Sequence, residues 1–184
     1  MVLGAALGVA GPLWGADDRS IRQTYDSARA LAEAGRTAES IAGYKAVLAL
    51  DWDYVPALDD LAWIRATCAD GQFRNGAEAE RLATHLVELA QYRFRAVTGG
   101  EFSRAFKIHA SQTLAAAYAA NGNFSGAVGY AIQSLETAER LNELSPSEMA
   151  AQLVADAKKY LKTYRSGAIF LSPTGFPRTP VPLR

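Results

Sequence analysis

The chain has 184 residues, 19 basic against 19 acidic side chains, 49% hydrophobic residues and one cysteine. This is the length of one domain, with enough apolar material for a core that needs no disulfide or metal. The lone Cys68 excludes an intramolecular disulfide and any multi-cysteine zinc or iron–sulfur site, and zero net charge excludes a uniformly basic nucleic-acid module.

In chain order, the first feature is an uncharged apolar run, residues 1–16 (MVLGAALGVAGPLWGA), ending at Asp17-Asp18. It is shorter than the about 20 residues of a bilayer span, and Gly11-Pro12 interrupts a helix there. Its length suits the apolar region of a secretory signal peptide cleaved after the small Ala16. No basic residue precedes the run, and Trp14 stands where a small side chain is expected; the alternative is a hydrophobic N-terminal segment. Export to a bacterial periplasm or cell envelope is the first expectation and a cytoplasmic location the second.

Alanine occurs 36 times against 15 for valine plus isoleucine, so the body is expected to be all-α. Apolar spacing and breakers predict seven helices, at about 20–34, 37–50, 55–67, 76–97, 102–121, 124–142 and 146–165. Three capping boxes are read at their starts: Ser20 with Gln23, Asn75 with Glu78, and Ser145 with Glu148, the last with Pro146 at the first helical position. Leu153, Ala157, Tyr160, Leu161 and Tyr164 form the inner stripe of the seventh helix. After Gly167, prolines 173, 177, 180 and 182 forbid helix and favour an extended tail, pinned to the body by Ile169, Phe170 and Phe176.

Residues 31–51 and 113–135 resemble one another: a helix ending at Gly35 or Gly122, a short turn, and a second helix. Leu114, Ala115, Tyr118, Gly122, Phe124 and Ala127 in one unit, Ala28, Leu31, Gly35, Tyr44 and Val47 in another, and Leu58, Leu61 and Ala62 in a third resemble the tetratricopeptide repeat (TPR) family, a helix-turn-helix unit of 34 residues. Ser40 and Trp52 depart from the pattern, standing where alanine and proline are common. The resemblance implies a right-handed α-solenoid of about three units (about 21–54, 55–93 with an insertion, and 108–141), a capping helix at 145–165 that repeats nothing, and a Pro-rich tail, 166–184. The second and third units start 53 residues apart, at 55 and 108, so 19 residues exceed the repeat; five fall in the loop from Cys68 to Gly76 and fourteen precede Ile108. Residues 61–83 are similar to a variant seen in repeat modules of bacterial envelope-associated and multidomain proteins.

The chain offers little for catalysis. Cys68, His85 and His109 are its whole Cys/His inventory, and without a catalytic signature they read as a small buried cysteine and surface histidines. No HxxxH or ExxH pair supports a metal, no glycine-rich phosphate loop supports a nucleotide, and Asp59-Asp60 read as carboxylates suited to the start of a helix. A non-enzymatic protein without cofactor or metal is expected.

The resemblance instead implies a concave groove lined by the first helix of each unit. Its carried-over positions hold Arg22, Tyr25, Arg29 and Glu33, then Asp59, Trp63 and Thr67, then His109, Gln112 and Ala116. Arginine and aromatic residues carry interface energy, so Arg22, Tyr25, Arg29, Asp59, Trp63, His109 and Gln112 are the candidate contacts for a partner protein or peptide. A competing reading has Trp63 packed under segment 68–76 or the C-terminal tail. The family's clamp for a peptide's terminal carboxylate is absent, because its positions hold Tyr25, Arg29, Asp60, His109 and Thr113. Two other functions remain open. Residues 156–184 carry six basic side chains against Asp156, leaving −5 on the first 155 residues, so the basic end suits an adaptor to anionic membrane or nucleic acid. An auxiliary domain of a larger envelope enzyme or assembly is the other.

Overall fold

A computed structural model describes residues 18–93 and 101–172. Among them are seven α-helices: α1 (Asp18–Glu33), α2 (Thr37–Leu50), α3 (Val55–Thr67), α4 (Gly76–Arg93), α5 (Glu101–Ala120), α6 (Phe124–Leu144) and α7 (Glu148–Arg165). The expected helices 20–34 to 146–165 stand within about two residues of these where both ends are described. Residues 1–16, 94–97 and Phe176 lie outside the described residues.

Local chemistry explains the pairing. α1 and α5 each end in a glycine with positive φ, Gly35 at +73° and Gly122 at +82°. At each, two backbone bonds close the same turn: Gly35 N–H to Ala32 O with Arg36 N–H to Leu31 O, and Gly122 N–H to Ala119 O with Asn123 N–H to Tyr118 O. This αL termination satisfies the last carbonyls and turns the chain back within three residues. α2 then lies so close to α1 that a Cβ on Gly43 would stand 2.7 Å from Ala28 Cβ, and Ser40 beside it is fully buried.

α7 ends in the same way, with Gly167 at φ +70°, Gly167 N–H bonded to Tyr164 O and Ala168 N–H to Thr163 O. The helix expected to repeat nothing therefore terminates like the first helix of a pair. Its inner stripe is as expected, with Leu153, Ala157, Tyr160, Leu161 and Tyr164 all buried. An extended segment, residues 168–172, follows α7.

Each helix packs on its neighbour in sequence, and α5 also packs on α3 and α7. The main core takes in residues of all seven helices, with a smaller one where α5, α6 and α7 meet around Ile108, Leu141 and Leu153. Gly76 marks the tightest junction: a Cβ there would lie 2.7 Å from the backbone of Ala120 and Asn121.

Two of the three expected caps are displaced. Asn75 caps α4 by accepting from Glu78 N–H at 2.9 Å, but the Glu78 side chain turns to Arg65 (2.7 Å) and Lys45 (2.9 Å) instead of back to its own helix start. Ser20 lies inside α1, its carbonyl accepting from Thr24. Ser145 closes α6, and Ser147, one residue beyond Pro146, caps α7 by accepting from Ala150 N–H at 3.1 Å.

Candidate functional site

The residues expected to line an open groove lie on the first helices, and most are covered. At the α1–α3 junction Tyr25 is buried and donates its hydroxyl to Asp60 Oδ2 at 2.9 Å, with the Tyr44 hydroxyl of α2 facing the same carboxylate. Asp60 is 5% exposed, and burial pushes its carboxyl up to about 7; Asp59 next to it adds to the rise, while the tyrosine hydroxyls and the Arg29 guanidinium oppose it. Both tyrosine hydroxyls are raised in turn, by burial first and then by Asp60. Arg29, half-buried, also pairs with Glu33, and Arg22 is exposed.

The acidic pair is thus not a solvated helix start. Asp59 accepts from the Thr113 hydroxyl, tying α3 to α5, and Asp60 ties α3 to α1 and α2. His109 and Gln112 on α5 are buried as well, so His109 is not the surface histidine the sequence implied. Thr67 and Ala116 are covered too, the Thr67 hydroxyl bonding back to Trp63 O at 2.8 Å.

Trp63 is 1% exposed. Its indole meets the Tyr160 ring edge-on at a centroid distance of 5.6 Å and the Phe170 ring at 5.9 Å, and Tyr160 meets Phe170 at 4.8 Å. Lys159 Nζ lies 5.0 Å from the centre of the Phe170 ring. This corrects Trp63 as an open partner contact: α7 and the segment after it cover it, as the competing reading held.

That segment is held by backbone. Ser172 N–H donates to Thr67 O at 2.8 Å and Ala69 N–H donates to Ser172 O at 3.2 Å, making a parallel bridge between Cys68 and Ser172. The receiving edge is built by the five-residue insertion after α3. Arg65 donates to Phe73 O, Arg74 to Cys68 O and Ala69 O, and Asn75 N–H to Arg65 O, so two arginines staple the insertion into a compact loop. The sequence offered Phe170 as an anchor; the pairing of its segment with the loop after α3 requires residues over a hundred positions apart.

A second surface was missed. Trp52, 43% exposed, lies stacked on His85 at 5.4 Å with the Arg81 guanidinium 5.0 Å from its ring centre, and His85 Nε2 is 2.7 Å from Asp53 Oδ1. With Glu80, Glu88 and Asn121 these side chains line an open cleft of about 600 Å³. The only hint in the sequence was Trp52 standing where the repeat usually has proline.

Among the described residues no His, Cys, Asp or Glu cluster is arranged to hold a metal ion, and no helix is long and apolar enough to cross a membrane. No known family model, curated protein or solved structure matches the chain.

Proposed function

We propose that the chain is a non-catalytic helical-repeat scaffold of the tetratricopeptide kind, a right-handed stack of helix pairs that binds a segment of a partner protein along the face of α1, α3, α5 and α7. One observation carries the reading: an extended segment of the chain itself, Ala168–Ser172, already lies on that face, joined by two backbone hydrogen bonds and an aromatic anchor. A surface that holds its own extended chain has the hydrogen-bond edge and apolar seat that a partner's chain requires. Arg22 and Arg29 extend the face with the side chains best suited to interfaces, because Tyr25, His109 and Gln112 are buried and the half-buried Asp59 is bonded to Thr113.

The burial of Trp63 decides the experiment. Replacing it disturbs the core, so the test is Arg22→Glu with Arg29→Glu in the full chain, each measured by affinity capture from native extract. Loss of a specific partner by both variants with unchanged helical circular dichroism supports the scaffold; recovery equal to the parent chain removes this face from the function. Determination of the mature N-terminus by mass spectrometry tests the accompanying proposal of export, which expects cleavage after Ala16.

A further inference from the structure

Resting on the scaffold reading, the geometry points to a more specific site. We infer that the Trp63–Tyr160 seat and the Thr67–Ala69 edge together bind an extended segment of a partner protein that carries an aromatic side chain two residues before a small one, and that residues 168–172 are its built-in competitor.

The pattern of the bound segment defines the ligand. In an extended chain side chains alternate, so residues two apart share a face. Phe170 and Ser172 turn inward, the ring onto Trp63 and Tyr160 and the serine buried against the edge, while Leu171 between them is exposed. A small residue is required where the backbones pair, because the Ser172 side chain is buried against the edge while its N–H donates to Thr67 O and its carbonyl accepts from Ala69 N–H. An aromatic ring is required two residues earlier, where two rings and the Lys159 ammonium form its seat.

The same details make the segment exchangeable. It is attached through Gly167, whose positive φ redirects the chain as soon as α7 ends. Leu171 gains little from being held, because it remains exposed. The edge and the seat belong to the helices and to the arginine-stapled insertion, and these keep their own bonds when the segment leaves. A tethered segment competes through its high local concentration, so weakening it raises the apparent affinity of a free peptide for the same place.

The experiment uses the full chain with a fluorescein-labelled peptide of sequence GAIFLS and its GAIALS control. Fluorescence anisotropy is measured on the parent and on Phe170→Ala and Ser172→Pro, which weaken the anchor and the backbone bond separately at peripheral positions. Weak binding to the parent, about tenfold tighter binding to both variants and none of the control is the expected result. Amide exchange supplies the location: in the parent chain at saturating peptide, the Ser172 amide loses protection while the Ala69 amide keeps it, since the peptide's carbonyl replaces that of Ser172. Affinity equal to the parent in both variants, or a Ser172 amide that stays protected at saturation, overturns the inference. If that happens while the Arg22→Glu and Arg29→Glu chains still lose a partner, the exchange site is wrong and the scaffold reading stands; if those chains lose nothing, both fall.

Discussion

Asp60 is a carboxylate in a place where water cannot reach it, and its behaviour follows from that. Its folded pKa of about 7 lies above the ordinary carboxylate value, so as pH rises the unfolded chain gives up its proton first. Between about pH 4 and 7 the folded state holds more protons, and stability falls through that window and levels off above it. The expected loss is on the order of 3–4 kcal/mol, read as a falling urea midpoint across the window, and Asp60→Asn flattens the curve. A midpoint that rises over the same range contradicts this. The sequence showed two adjacent aspartates and offered the helix dipole as their reason. Their true partners, Tyr25, Tyr44 and Thr113, lie from sixteen to more than fifty positions away and come into reach only when α1, α2 and α5 pack on α3. Trp63 was ambiguous for the same reason, since a groove position and a covered one are identical until the far end of the chain is placed.

Helices were legible because the signals that start and stop them are local. Gly35 and Gly122 announced two turns, and the αL geometry they adopt is one that a side chain resists; Gly122→Ala is expected to cost about 1 kcal/mol in thermal or urea unfolding. Gly76→Ala is expected to cost more, about 1–3 kcal/mol, because the added methyl meets the α5 backbone and no side chain is there to move aside. Capping was legible in kind and not in register. Ser145 and Ser147 flank Pro146, and the proline holds the residue before it out of the helical region, so the cap passes to Ser147 with its extended φ of −156°. Ser147→Ala is therefore expected to lose about 1 kcal/mol, read from the midpoint of chemical denaturation. α7, expected to repeat nothing, shares its glycine ending with α1 and α5, and that ending depends on backbone alone.

A stack of helix pairs is close to a one-dimensional object, in which each unit is stabilised by its neighbours and can fray from either end. Among the described helices most contacts join elements one or two apart. The bridge between Cys68 and Ser172, with the Trp63–Tyr160 ring contact near it, reaches further: it fastens the segment after α7 to the end of α3, across α4, α5, α6 and α7. So long a closure forms late, after the helices between are docked, because its loop entropy is offset only when they already hold the ends together. Once formed, it opposes fraying of α7. Phe170→Ala is accordingly expected to speed amide exchange in α7 while leaving α1 and α2 unchanged, and equal acceleration throughout would show that the molecule opens only as a whole. What the loop after α3 provides is therefore a change of dimension: its bond to Ser172 closes α3 to α7 into a circuit in which α7 is held from both of its ends, while α1 and α2 stay outside it.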